Sequence, residues 1–296
     1  MPTTMIKLSL ALDLNYLVGE YGADFVFNIH AAHTACQTLA SEQLTLSPPV
    51  EHRVDTDPAT GNRYLRLKAR AGALHVAYRA TVELRHHFAA PETLAEVPVE
   101  RMPLAVLGYL YPSRYCQSDR LIKLAIREFG ALHQGHARVE AIQAWVRERV
   151  SFTSNSSNSN TAAVDTLIEQ RGVCRDFAHL MIALCRAVNI PARFATGTDY
   201  GADPALGPPD FHAYVEVYLG EQWVIFDPSA TATPMGLVRF GTGRDAADVA
   251  FATIFGAVSS QPPLVSVLAL EDAAAGIGPP YHCREAISTD GVATLC

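Results

Sequence analysis

Apolar residues crowd nearly every side of the stretch Cys174 to Val188. Phe177, Ala178, Leu180, Met181, Ile182, Ala183, Leu184, Ala187 and Val188 leave almost no polar stripe, so the pattern predicts a helix buried inside a domain. The period then changes. From His212 to Leu219, Ala213, Val215, Val217 and Leu219 alternate with His212, Tyr214, Glu216 and Tyr218, which predicts a half-buried strand. Gly220-Glu221 predicts a tight turn and Gln222 to Phe226 a return strand. Upstream, helices are predicted from Ser118 or Asp119 to near Gly130, over Ala137 to Val150 with Trp145 in the core, and over Thr161 to Arg171. Gly172 is expected to end the last of these in a left-handed C′ conformation. The first hundred residues read differently. Lys7 to Tyr16, Asp24 to His30, Gln37 to Ser47, Tyr64 to Arg70 and Leu74 to Leu84 are strand-like, with turn signals at Gly19, Tyr21-Gly22, Asp57-Pro58 and Gly61-Asn62. The expected fold class is therefore α+β, with a β-sandwich-like domain at the N-terminus.

With 296 residues the chain is long enough for two cores, and the pattern divides it into a β-rich part over 1–97, a mixed part over 98–268 and a tail over 269–296. A net charge of −7 with scattered Lys and Arg argues against nucleic acid or an anionic membrane as partner. Asp13 interrupts the apolar run of Met1 to Gly19 and no small-residue cleavage site follows, so a first strand is expected there and not a signal peptide. No stretch approaches the roughly 20 apolar residues of a membrane span. Cys36, Cys116, Cys174, Cys185, Cys283 and Cys296 are widely spaced without a CxxC pair, as expected of reduced thiols, and the cytoplasm is the expected compartment.

The chemistry concentrates in three short stretches: Gly172 to Phe177, Phe211 to Tyr214, and Phe226-Asp227-Pro228. Cys174 opens the buried helix, where free N–H groups and the dipole favour an anion. With a cation nearby, such a setting lowers a thiol pKa from about 8.5 to roughly 3.5–7.5. His212 opens the strand and Asp227 follows its return strand. A two-residue turn puts Leu219 opposite Gln222 and His212 opposite Ser229, so Asp227 lies diagonally from His212, roughly 7–8 Å away at the backbone and within side-chain reach. The carboxylate can then hold one imidazole nitrogen and leave the other for the thiol. Those are the parts of a Cys-His-Asp triad.

These stretches, G-V-C-R-D-F-A-H-L, F-H-A-Y-V-E-V-Y-L and W-V-I-F-D-P, resemble the bacterial transglutaminase-like family within the papain-like cysteine enzymes. The likeness continues through Pro112 to Tyr115, Ile190 to Phe194 and Gly243 to Asp248, covering residues 100 to 260 or so. It implies a papain-like catalytic domain with Cys174 as nucleophile, His212 as base and Asp227 as orienting acid, and no cofactor or metal. Crosslinkers, amidases and peptidases all occur in such a family, so the substrate does not transfer with the triad.

The expected activity is hydrolysis of an amide in a peptide or protein through a thioester on Cys174. Protein-glutamine transglutamination and non-catalytic binding of a peptide or partner are the alternatives. Hydrolysis is favoured because the loop before His212, Asp199 to Phe211, is rich in Gly, Pro and Asp, and the nearby Ser/Asn run and Gly241 to Asp248 are polar too. A transferase needs a dry site. One side-chain amide in Ser151 to Asn160 is expected to help the Cys174 N–H hold an oxyanion, with nothing in the sequence selecting which. Asp176 is expected to cap its own helix, His179 to be a satisfied core histidine, and Arg193, Arg244, Asp245 and Asp248 to form a structural ion-pair network. His133 and His136 have ligand-like spacing but no third ligand.

Overall fold

The computed structural model describes residues 5–198, 200–203, 205, 209–288 and 290. Two sheets form the N-terminal sandwich. In the first, Met5–Val18 pairs antiparallel with Gly72–Leu84 from Ile6 opposite Leu84 to Val18 opposite Gly72, and Gly72–Leu84 pairs in turn with Gln37–Ser47. Strict alternation along Met5–Val18 sends Ile6, Leu8, Leu10, Leu12 and Leu14 inward, fully buried, while Lys7, Ser9, Ala11 and Asp13 lie on the other face. The second sheet is ordered Ala252–Phe255, Ala23–Phe27, Arg63–Ala69, His52–Thr56, and its Phe25, Phe27, Leu65 and Leu67 close the core.

The chain's end departs from the expected division at 268. Val258–Ser260 and Leu264–Ala269 add antiparallel to the free edge of Met5–Val18, and Ile277–Gly278 adds parallel, while Ala252–Phe255 extends the second sheet. Residues 252–278 therefore complete the sandwich instead of finishing the mixed domain and starting a tail. The reason is the unpaired N–H and C=O row of a long central strand, which these short segments cover.

The mixed domain is a four-stranded sheet ordered Gln222–Phe226, Phe211–Leu219, Ala192–Thr198, Gly241–Gly243. The helix Cys174–Ala187 lies against one face, with the helices Ser118–Phe129, His136–Arg149 and Ala163–Glu169 packed around it. Trp145 is buried against Phe129. The strand Phe211–Leu219 was expected to be half-buried, yet every residue from His212 to Leu219 is buried. Its two faces enter different cores: Val215 and Val217 meet the helices, while Tyr214 joins Leu237, Val238 and Phe240 in a core continuous with the sandwich. Among the described residues no helix is long and apolar enough to cross a membrane.

Charge is buried between the strands. Arg193 and Glu216 are cross-strand partners, with Arg193 Nε donating to Glu216 Oε2 at 2.6 Å, and Arg239 Nη1 reaches Glu216 Oε1 at 3.3 Å. Asp290 accepts from Arg193 Nη2 at 2.7 Å. Arg193 thus serves the structural network. Arg244 is in a separate, exposed pair with Asp248, and Asp245 accepts from the Tyr115 N–H at 2.9 Å. Glu216→Gln removes the charge that two buried guanidinium groups share, and should lower unfolding stability by about 3 kcal/mol in urea titration. A change under about 0.5 kcal/mol would show that Asp290 alone suffices.

Candidate active site

Cys174 is the first residue of its helix because Val173 is extended, at φ −108° and ψ 177°, and its N–H donates to Asp176 Oδ2 at 2.9 Å. Asp176 is completely buried and also accepts from Arg175 Nη2 at 3.0 Å, so it caps its own helix as expected. Gly172 has a different role from the one the sequence suggests. The preceding helix ends at Glu169, and the left-handed residue is Gln170, at φ 54°. A Cβ on Gly172 would lie 2.6 Å from Asp176 Cβ, so glycine here makes room for the cap. Gly172→Ala should therefore cost about 1–3 kcal/mol of stability, measured by thermal or urea unfolding, and slow alkylation of Cys174 as the helix start shifts. An alanine variant of unchanged stability would contradict this account.

Residues 151 to 173 bring a second wall beside the thiol. Ser151–Phe152 pairs parallel with Arg171–Gly172, and the Thr153 N–H donates to the Gly172 carbonyl at 2.9 Å. The polar run that follows is tied to the nucleophile's helix: Arg175 Nη2 donates to Ser157 Oγ at 3.2 Å and to the Asn158 carbonyl at 2.8 Å, and Tyr115 Oη donates to the Ser159 carbonyl at 2.7 Å. Asn155 sits at φ 60°, in the left-handed region that asparagine tolerates. Of the three asparagines in this run, Asn155 lines the cleft with Cys174, while Asn158 and Asn160 do not.

His212 and Asp227 arrive by the predicted register. The ladder runs from Leu219 opposite Gln222 to Val215 opposite Phe226, and Asp227 follows directly. His212 Nε2 lies 3.3 Å from Asp227 Oδ1, ion-pair distance, but angled away from a good hydrogen bond. Such contacts are often loose before substrate binds. Asp227 is fixed by other donors: Ser229 Oγ at 2.6 Å and Ser229 N at 3.0 Å to Oδ1, and Ala232 N at 3.2 Å to Oδ2. The Tyr214 ring meets His212 edge-on, centroids 4.5 Å apart, and its hydroxyl donates to the Thr198 carbonyl. Ser229 and Tyr214 are supports that sequence reasoning missed. Ser229 sits two residues after Asp227, an Asx-type spacing that could have pointed to it.

Burial alone would make the His212 imidazole less basic. The charges of Asp227 and of the Cys174 thiolate outweigh that and push its pKa up to about 10. Burial raises the Asp227 carboxyl, but His212 and the hydrogen bonds from Ser229 and Ala232 hold it below its ordinary value. At neutral pH the site therefore favours a protonated imidazole beside the Asp227 carboxylate.

Cys174 and His212 line a cleft of about 740 Å³, with Asp227 buried behind the ring. Its walls are more apolar than the flanking sequence suggests, since Phe152, Phe194, Phe211, Val249 and Phe251 all reach it. Within the loop before His212, Asp199, Pro204 and Leu206 to Pro208 lie outside the described residues, while Ala202, Asp203 and Asp210 border the cleft. His179 is fully buried, stacked on Tyr115 with centroids 5.0 Å apart, and its Nε2 accepts from the Ala246 N–H at 3.2 Å. Among the described residues its Nδ1 has no hydrogen-bond partner, so the expectation of a satisfied histidine holds there for one nitrogen alone. His136 is buried at a helix start against Phe226 and 3.6 Å from Glu140, and among the described residues no three metal-ligating side chains converge.

A crystal structure of a chain from Cytophaga hutchinsonii, described as a candidate cysteine protease, is 40% identical and covers 96% of this chain and 97% of its own, with a TM-score of 0.88. Residues 125–228 match the transglutaminase-like superfamily, and residues 6–105 match the bacterial transglutaminase N-terminal domain. The chain belongs to the transglutaminase-like superfamily. An uncharacterized protein of Mycobacterium leprae is 26% identical over 145 residues, 48% of this chain and 52% of that protein. Another, of Mycobacterium tuberculosis, is 33% identical over 110 residues, 33% of this chain and 35% of that protein. The chain thus spans about half, or less, of the curated relatives it matches. These likenesses support a cysteine-dependent enzyme family, and the transglutaminase-like core accounts for the helix and strands that carry Cys174, His212 and Asp227.

Proposed function

We propose that the protein is a thiol hydrolase of amide bonds in peptides or proteins, with Cys174 as nucleophile, His212 as proton carrier and Asp227 as the group that orients and charges it. The observation that carries this reading is that the His212 imidazole shares one cleft with the Cys174 thiol at a helix start and lies 3.3 Å from a buried, hydrogen-bonded carboxylate. The thiolate attacks the carbonyl carbon. The resulting oxyanion takes hydrogen bonds from the Cys174 N–H and the Asn155 side-chain amide. His212 gives its proton to the leaving nitrogen as the C–N bond breaks, and a thioester remains. Neutral His212 then takes a proton from water, hydroxide adds to the thioester, and the acid and the thiolate separate.

Asn155→Gly keeps a residue at home at φ 60° and deletes the amide. It should lower kcat about 10²-fold with little change in KM or Tm. An unchanged kcat would remove Asn155 from the mechanism.

Transfer to an amine is the second reading, and one observation favours it: the phenylalanines around the thiol can exclude water from the thioester. The experiment supplies a primary amine at millimolar concentration together with an amide that acylates Cys174, and measures the product ratio. Free acid should dominate. Mostly amine-coupled product would make the protein a transglutaminase, and no acylation of Cys174 by any amide would favour a binding role.

A further inference from the structure

We infer that the cleft selects an acyl donor with an aromatic or large aliphatic side chain beside the scissile carbonyl, received by a wall that Phe211 and Phe251 build. The inference rests on Cys174 being the acylated residue. It starts from two rings that come together from different parts of the chain. Phe211 immediately precedes His212, so the wall begins one residue from the imidazole. Phe251 lies forty residues later, just before the strand that returns to the sandwich. Their rings stack at a centroid distance of 4.5 Å with planes 11° apart.

The wall is anchored from behind. Phe211 meets the completely buried Phe240 edge-on at 5.9 Å, and the Phe251 carbonyl accepts from the Asn28 N–H of the sandwich at 3.1 Å. Phe251 nevertheless keeps 36% of its surface exposed, facing a cleft that Val249 and Phe152 also line. Rigid aromatic surface left open beside a nucleophile is what an apolar side chain can cover with gain.

Charge in the lining is already engaged. Arg175 donates to Asp176, Ser157 and Asn158. Asp203 accepts from the Ala205 N–H and Asp210 from the Phe211 N–H. An anionic donor side chain entering here would meet Asp203 and Asp210, and a charge of either sign set against the Phe211–Phe251 wall would lose water and meet carbon. A glutamine donor fares no better, since its scissile carbonyl is on the side chain itself and leaves the aromatic wall bare. A single ring covering the wall corresponds to about 10–100-fold in rate at low concentration.

The test uses chloromethyl ketones of N-acylated Phe, Gly and Lys. In each, the thiolate displaces chloride and forms a thioether, located on Cys174 by peptide mass. The Phe reagent should alkylate Cys174 about 10–100-fold faster than the Gly reagent, with Lys no better than Gly. In Phe251→Ala the Phe/Gly ratio should fall towards one. Phe251→Leu, which keeps apolar volume, should retain part of it, and thermal unfolding of both variants reports the fold. Iodoacetamide on the parent protein separates the two layers of argument. If it labels Cys174 no faster than the half-buried Cys283 at pH 6, the catalytic reading itself fails. If it labels Cys174 quickly but the three ketones react equally, or Lys fastest, the aromatic preference alone is overturned.

Discussion

Cys174→Ala protein should unfold at close to the parent temperature yet lose amide turnover by a factor of about 10⁴ or more. The stability half of this expectation follows from position. Cys174 is a part-exposed first helical residue that packs only at the margin of its core, and alanine is the best helix former. The activity half follows from the chemistry, because no other thiol reaches the cleft among the described residues. Cys116 and Cys185 are fully buried, and burial raises both thiols far above their ordinary range. Cys283 is raised by its own burial and then by Glu285. Intact-mass detection of an acylated parent and an unacylated variant is the direct measurement. Turnover within about tenfold of the parent would place the nucleophile elsewhere, and Cys283→Ala is the matching control, expected to keep full activity.

The parts of the protein that were legible in its sequence are those where one local period decides one structure. The helix from Cys174, the hairpin over 211–226 and the long strand from Met5 each carry a strong signal in a single window, and the register that sets Asp227 beside His212 needs only the two-residue turn at Gly220-Glu221. What could not be read depends on partners far along the chain. His52–Thr56 is exposed at every position, so no apolar alternation marks it as a strand. Val258–Ser260 and Leu264–Ala269 become strands because Met5–Val18 offers them an edge from 250 residues away or so. The burial of both faces of Phe211–Leu219 required knowing that the sandwich core continues onto it. The aromatic wall is of the same kind: Phe211 opens its strand after a Pro-rich loop and Phe251 lies three residues past the polar stretch ending at Asp248, and neither sequence context hints that the rings stack.

The same dependence on context decides what Asp227 is worth. Asp227→Asn keeps the size of the side chain, and its one amide oxygen can still accept from the Ser229 N–H and hydroxyl, so folding should persist. It removes the charge 3.3 Å from His212 Nε2. His212 is protonated below its folded pKa of about 10, and activity that needs the imidazolium to protonate the leaving nitrogen is present below that pH and lost as pH rises through it. The parent should therefore hold its kcat/KM through neutral and mildly alkaline pH and fall only on approach to about 10. Without the carboxylate, burial is opposed by the thiolate alone, and the alkaline limb should move down by about 1–3 pH units. At neutral pH the loss in kcat/KM should be on the order of 10³-fold, smaller than for Cys174→Ala because the thiol and the oxyanion donors remain. The measurement is the full pH profile of kcat/KM for both proteins. A variant with lower activity but an alkaline limb at the parent's position would mean that Asp227 orients the ring and does not charge it.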